Sequence, residues 1–271
     1  MFVNDYEYDG RSAVVTGGGG SGMGAAVVEG LVELGAEVHV LDLKEPSVKV
    51  ASHQNADLKD PDAIDSALAA IGGPIHTLFN CVGVPGNHTS QLDTMLINYA
   101  GVRHLTDRVT ERMPDGGTIS TVTSQGGVRW ADRLGPWKEL AQTADYAAAK
   151  AWFEANPDTY CWHPYSASKE ALIVWTMWSS TILAKRAIRQ NAILPGPTAT
   201  PMSPDFVATT SERFMDNYPI ALGRHQTPRE QADVLLFLNS DRAGAITGAP
   251  ILTDGGGTSG VTTGQLSVPE L

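Results

Sequence analysis

Ser12-Ala-Val-Val-Thr-Gly-Gly-Gly-Gly-Ser-Gly-Met-Gly24 is the stretch that decides the fold. Ser12–Thr16 is a short apolar run entering a glycine turn, which reads as a buried strand. Ala25 to Leu34 reads as a helix, and Gly35 supplies a residue suited to the position past its end. Glu37-Val-His-Val-Leu-Asp42 reads as a second strand. Strand, glycine turn, helix and strand, closed by a carboxylate about twenty residues after the glycines, form the βαβ unit of dinucleotide binding. Gly18, Gly22 and Gly24 have G-x-x-x-G-x-G spacing, and either Gly17 or Gly18 takes the role of first glycine. Glycine lets the chain turn sharply and lets a pyrophosphate approach the first turn of the helix, where free N–H groups and the dipole favour an anion. Asp42 ends the second strand, where a carboxylate accepts both hydroxyls of an adenosine ribose and repels a 2′-phosphate. The expected cofactor is NAD, with NADPH as the alternative because Lys44 stands two residues on.

Working outward, helices are expected at Pro61–Ile71, Leu92–Met113, Leu140–Glu154, Ser166–Arg186 and Pro228–Leu238. Strands are expected at Ile75–Val82, Gly117–Thr123, Ala187–Leu194 and Ile246–Thr253. The nearly continuous apolar run of Ile75–Val82 suits a parallel strand covered on both faces. Lys44 to Asn55 is too short for a helix plus a strand, so one crossover helix is missing or reduced, and Asp57-Leu58 closes a third strand. Pro204–Asn217 reads as a helical flap inside a flexible segment of about 199–225. The expectation is an α/β Rossmann doubly wound parallel sheet with helices on both faces, one domain over 1–271, interrupted by a helical insertion at 125–164.

The totals exclude several classes. A formal net charge of −11 argues against a nucleic-acid surface and against an anionic membrane partner. Cys81 and Cys161 make no disulfide framework, Cys81 reads as a buried free thiol, and a reducing cytoplasm is the expected compartment. The acidic Met1–Asp9 segment lacks the apolar stretch of a signal peptide. Seven histidines are scattered without metal spacing, so no metal site is expected.

Tyr165-Ser-Ala-Ser-Lys169 places a phenol and an ammonium one helical turn apart on one face. A nearby positive charge favours phenolate, which is expected to make Tyr165 a proton acceptor near neutral pH.

Together with Asn80-Cys-Val-Gly83, Asn98, Thr123-Ser124 and Pro195-Gly196-Pro-Thr198, these pieces resemble the short-chain dehydrogenase/reductases over nearly the whole chain. Asn80-Cys-Val-Gly83 departs from that family's usual Asn-Asn-Ala-Gly. The resemblance implies Tyr165 as acid/base, Lys169 lowering its pKa and holding the nicotinamide ribose, and Ser124 orienting the substrate oxygen. It further implies that Asn98 kinks its helix and holds a water, and that Thr198 binds the carboxamide. Ser21, Met23, Asp57, Leu58, Cys81, Val82, Gly83, Pro195, Gly196 and Thr200 complete the implied cofactor contacts. Forty residues lie between Ser124 and Tyr165, far more than in most relatives. They carry Trp130, Trp137, Trp152 and Trp162, and this is similar to the bacterial 3α-hydroxysteroid dehydrogenase/carbonyl reductase branch. The insertion either roofs an apolar pocket or serves subunit contact and packing. The first option gives Gln125, Trp130, Trp162, His163 and Met202 as substrate contacts. The implied substrate is a secondary alcohol or its ketone, apolar and bulky (steroid, terpenoid or aryl alcohol), and the implied assembly a homodimer or homotetramer. The alternatives are an NADPH-dependent carbonyl reductase and a scaffold that binds NAD without turnover.

Overall fold

The computed structural model describes residues 7–209 and 211–268, so Met1–Tyr6, Thr210 and Pro269–Leu271 lie outside the described residues. Seven strands, β1 Ser12–Thr16, β2 Glu37–Leu41, β3 Ser52–Gln54, β4 Thr77–Asn80, β5 Thr118–Val122, β6 Arg189–Pro195 and β7 Pro250–Thr253, form one parallel sheet. Their order is β3-β2-β1-β4-β5-β6-β7. The order reverses between β1 and β4, and at such a switch point the connections leave in opposite directions and open a crevice at the strands' carboxyl ends.

The helices are α1 Met23–Glu33, α2 Pro61–Ala69, α3 Gln91–Met95, α4 Val102–Arg112, α5 Leu134–Ala141, α6 Tyr146–Ala155, α7 Pro164–Leu183, α8 Ser203–Thr209, α9 Glu212–Asp216, α10 Pro228–Asn239 and α11 Gly257–Thr262. Val27, Leu31 and Leu235 belong to a core on one sheet face with Val15, Val40 and Phe79. Ile64, Leu105 and Leu172 belong to the core on the other face with Val14, Leu41 and Leu78. Alternate residues of β1 therefore serve opposite cores, as the strand pleat dictates.

Several sequence expectations need correction. β3 ends at Gln54, so Asp57-Leu58 lies beyond the strand, in the turn before α2. β7 begins only at Pro250. The expected helix Leu92–Met113 is split by a π-helical stretch, Leu96–Gly101, around Asn98. A Cβ on Gly101 would lie 1.9 Å from the Leu58 carbonyl oxygen, so the wide turn brings this backbone against the β3–α2 turn. Leu140–Glu154 is two helices, because Asp145 leaves the helical region and caps α6 by accepting from Ala148 N at 2.8 Å. The flap is likewise two short helices, α8 and α9. α11 was not anticipated, since its Gly- and Thr-rich sequence has low helix propensity.

The insertion is built into the core. Phe153 makes edge-to-face contacts with Tyr99, Trp152 and Tyr160 at centroid distances of 5.9, 5.7 and 5.6 Å. Buried Arg103 of α4 caps the end of α5 by donating to the Leu140 carbonyl at 3.2 Å and to Thr143 Oγ1 at 2.6 Å. Tyr146 donates to the Lys59 carbonyl. Among the described residues no helix is long and apolar enough to cross a membrane.

Ala187 links α7 to β6 with φ +53°. A side chain there meets the steric penalty of the left-handed region, which glycine escapes. Ala187→Gly is expected to raise stability by about 0.5–1 kcal/mol after glycine's extra unfolded-state entropy is deducted. A lower urea midpoint than wild type would refute this.

Candidate active site

A cavity of about 860 Å³ runs along the carboxyl ends of the strands from the glycine turn to Tyr218. At one end α1 begins at Gly22, which provides no side-chain cap, and its first turn carries no acidic residue. The first N–H groups therefore keep their unmet hydrogen-bonding capacity. The space a Cβ on Gly22 would enter is open. Gly17 turns with φ +69°, and a Cβ on Gly24 would sit 2.1 Å from the Gly17 carbonyl oxygen. These two glycines make the turn tight. Gly18 does not line the cavity: a Cβ there would lie 2.8 Å from Val28 Cγ2, so its role is helix–sheet contact and Gly17 is the first glycine of the turn.

Asp42 is oriented by two backbone donors, Gly19 N at 2.8 Å and Lys44 N at 2.9 Å, one to each oxygen. Its carboxylate lines the cavity with Lys44, Asp57 and Leu58. Ser21, Met23, Cys81, Val82 and Gly83 also line it, as do Pro195, Gly196, Thr198 and Thr200. Thr16 Oγ1 accepts from Cys81 N at 3.2 Å and steadies the end of β4. Cys81 is a free thiol but half-buried by surface, and its surroundings push its pKa up to about 12. Thr198 Oγ1 donates to the Gly196 carbonyl at 3.0 Å. An uncapped helix start, an oriented carboxylate and close glycine backbones fit a nicotinamide dinucleotide.

Further along, Ser124 follows β5 and Tyr165 sits in the first turn of α7. His163 caps that helix, with Nδ1 accepting from Ser166 N at 3.2 Å. The Ser124 hydroxyl accepts from Gly126 N at 3.0 Å, and Ser124 Oγ and Tyr165 Cε1 stand side by side at Gly126, 3.4 and 3.7 Å from where a Cβ on it would lie. Lys169 is buried behind the cavity wall and donates to the Val122 carbonyl at 3.1 Å. Asn98 is also behind the wall: its Oδ1 accepts from Val84 N at 2.8 Å, and its Nδ2 donates to the Val84 carbonyl at 3.0 Å and to Ser168 Oγ at 3.1 Å. It ties the segment after β4 to α7.

Tyr165 does not show the expected acidification by Lys169. Burial pushes the Tyr165 phenol up, and Ser124 offsets this only in part. The Lys169 nitrogen is 5.6 Å from the centre of the phenol ring, and burial lowers its own pKa to about 8. Desolvation disfavours the charged form of both groups and is the largest cause of each shift.

At the far end Gln125, His163 and Met202 line the cavity, whereas Trp130 and Trp162 do not. Trp130 packs on the core of the α7 face, and Trp162 is 49% exposed with Arg133 stacked on it at 4.0 Å. The tryptophans of the insertion thus do not roof the cavity. The wall is completed by Phe206, Met215, Tyr218 and His225, which sequence reasoning missed. Phe206 stands one helical turn beyond Met202, a spacing that could have flagged it. It contacts Tyr165 edge-on at 5.1 Å, and Gln125 Nε2 donates to Tyr218 Oη at 2.6 Å. Asp205 holds α8 to the loop after β4 through Asn87 at 3.0 Å and His88 at 2.9 Å. Among the described residues no three His, Cys, Asp or Glu side chains are grouped to hold a metal.

Residues 11–155 match the family model of the short chain dehydrogenases, and residues 155–258 match the model described as Enoyl-(Acyl carrier protein) reductase. The chain is 33% identical over 246 residues to a coniferyl-alcohol dehydrogenase of Pseudomonas sp. (strain HR199 / DSM 7063), covering 90% of this chain and 95% of that one. It is 27% identical over 251 residues to the 3-alpha-hydroxysteroid dehydrogenase/carbonyl reductase of Comamonas testosteroni, covering 90% and 96%. The crystal structure of the 3-alpha-hydroxysteroid dehydrogenase from Pseudomonas sp. B-0831 complexed with NADH superposes with a TM-score of 0.76 at 26% identity, over 95% of this chain and all of that one. With its glycine turn, sheet order and Ser–Tyr–Lys arrangement, the chain belongs to the short-chain dehydrogenase family, oxidoreductases that move hydride between a nicotinamide cofactor and an alcohol or ketone.

Proposed function

We propose that this chain is an NAD-dependent dehydrogenase of a bulky, apolar, ring-bearing alcohol, with Tyr165 as acid/base and Ser124 as its partner on the substrate oxygen. The carrying observation is that Ser124 and Tyr165 stand side by side on the wall of a cavity whose other end holds an uncapped helix start and an oriented carboxylate suited to a dinucleotide. The bound cofactor supplies the hydride acceptor. Ser124 and Tyr165 converge on one oxygen: Ser124 holds it, and Tyr165 takes its proton as hydride leaves the carbon, so negative charge does not accumulate on oxygen. Lys169 sits under the pair and supplies a positive charge that favours phenolate in the transition state. Asn98 keeps the backbone beside Lys169 in place. Thr198, next to Gly196, serves the carboxamide, and the first turn of α1 serves the pyrophosphate.

Asp42 supports NAD over NADP, because a carboxylate with both oxygens already oriented repels a 2′-phosphate at close range. Lys44 lines the same end and is a feature favouring NADPH. Met202, Phe206, Met215 and Tyr218 provide the apolar wall for the substrate, and the coniferyl-alcohol relative supports an aryl substrate. The α8–α9 segment acts as the flap that covers it.

The test is NADH formation with NAD and a panel of alcohols running from small aliphatic through aryl to steroid. Turnover is expected to rise with ring content, and a preference for small aliphatic alcohols would remove the substrate assignment. In the same assay Asp42→Ala is expected to lower the NAD:NADP ratio of kcat/KM by about tenfold or more. An unchanged ratio would move the discrimination elsewhere.

A further inference from the structure

Glu170 directly follows Lys169, is fully buried, and is not part of the cavity wall. Three donors hold its carboxylate: Arg133 Nε at 2.8 Å, Arg133 Nη2 at 2.5 Å and Trp137 Nε1 at 2.9 Å. All three come from the insertion. Arg133 is itself backed by Trp162, over whose ring its guanidinium carbon lies at 4.0 Å, and Trp162 Nε1 donates to the Thr159 carbonyl at 2.9 Å. The final turn before α7 thus supports the arginine from behind.

A second contact closes the arrangement. Eight residues separate Ser124 from Arg133. Among them Gly127 lies so close to α7 that a Cβ there would sit 2.9 Å from both the Glu170 nitrogen and the Lys169 carbonyl carbon. The chain leaving Ser124 rests on the backbone of the proton-transfer helix and then clips to it at Glu170. A ring forms: Ser124, Gly127, Arg133, Glu170 and back along the helix to Tyr165.

Resting on the reading above, we propose that the Arg133–Glu170–Trp137 clip is a positioning device, by which the insertion sets Ser124 against Tyr165 and Lys169. Reacting groups must be aligned closely, and a displacement of about 1 Å costs on the order of a hundredfold in rate. A buried ion pair is weak as a source of stability, since apolar residues of equal volume replace such pairs at little or no cost. What the fork of Arg133 provides and an apolar contact does not is direction: two parallel hydrogen bonds determine where Glu170 sits along and around the helix.

The experiment compares wild type, Tyr165→Phe, Arg133→Lys and the triple variant Arg133→Met, Trp137→Phe, Glu170→Met on the best alcohol of the panel. NAD affinity is measured by cofactor fluorescence and folding by thermal unfolding. The triple variant is expected to fold with a melting temperature near that of wild type and to bind NAD within about threefold, because Gly17–Gly24 and Asp42 are untouched, while kcat falls about 10–100-fold. Arg133→Lys, at a partly exposed position, keeps the charge, loses the fork, and is expected to show an intermediate fall in kcat at unchanged NAD affinity. It decides the matter should the triple variant not fold. Wild-type kcat in a folded triple variant, or in Arg133→Lys when the triple variant does not fold, overturns the positioning role and leaves the clip as packing. A wild-type kcat in Tyr165→Phe is a different failure: it removes the proton-transfer assignment, and the positioning role falls with it.

Discussion

Tyr165→Phe is expected to lower kcat for alcohol oxidation by about 10²–10⁴-fold, the range for loss of a positioned acid/base group, while NAD affinity stays that of the wild type. Phenylalanine keeps the ring and its edge contact with Phe206, so the cavity wall survives the change. What goes is the group that takes the alcohol proton, and Ser124 alone has no low-pKa site for it. The pH dependence has a definite sign. Burial holds the phenol above the ordinary tyrosine pKa, so the basic form is scarce at neutral pH and oxidation climbs as pH rises. Ketone reduction needs the protonated phenol and is supported on the acid side. Steady-state kinetics in both directions from pH 6 to 10 check this. Less than a tenfold fall in the variant would reject Tyr165 as the proton carrier.

Lys169→Met carries the other large effect, with opposite signs for activity and stability. Activity is expected to fall about a hundredfold or more, since a preorganised positive charge beside the developing phenolate is lost. Stability of the cofactor-free protein is expected to rise. The native Lys169 has a pKa of about 8 against 10.5 in the unfolded chain. Below pH 8 both states carry the proton, and the native state bears the whole cost of a buried ammonium, about 3 kcal/mol for such a shift. Between pH 8 and 10.5 the unfolded chain binds the proton and the native one does not, so wild-type stability climbs with pH across that window. Methionine fills a similar volume without the charge. Urea unfolding should therefore show the variant ahead of wild type by about 3 kcal/mol at pH 7, with the gap closing towards pH 10.5. A variant less stable than wild type at pH 7 would mean that the Val122 carbonyl and its surroundings fully compensate the charge. The pairing of lost activity with gained stability is the signature of a charge kept for function.

Much of the architecture was legible in local patterns. The run Ser12–Gly24 with Asp42 specifies a βαβ unit through backbone geometry alone, because only glycine meets the clash at Gly24 and the positive φ at Gly17. Ile75–Val82 announced a buried parallel strand by its unbroken apolar run. Asn98 was expected to bend its helix, and it lies within the π-helical stretch Leu96–Gly101. Local patterns failed where the deciding contact is remote in sequence. Leu140–Glu154 read as one helix although Asp145 is a local cap for α6, because nothing local shows Arg103, some forty residues upstream, satisfying the end of α5. Trp130 and Trp162 read as pocket residues because an aromatic side chain gives the same signal in a core, on a surface or in a cavity.

What the sequence marked by itself is the set of residues whose chemistry or backbone freedom admits few substitutes: the glycine turn, Asp42, and Tyr165 with Lys169. Each is marked by type and spacing, and spacing along a helix or turn is a local property, whereas Ser124 was singled out only by the family resemblance. What the tertiary structure decided is where charge is tolerated and what encloses the reaction. Lys169 and Tyr165 are shifted by the burial they share, not by their separation of one turn. The tryptophans of the insertion face the core, α7 or the surface, and only its two ends, at Gln125 and His163, join Phe206, Met215 and Tyr218 on the pocket wall, because desolvation and packing depend on every neighbour in space, and those neighbours lie as far apart in the chain as Arg133 and Glu170 or Gln125 and Tyr218.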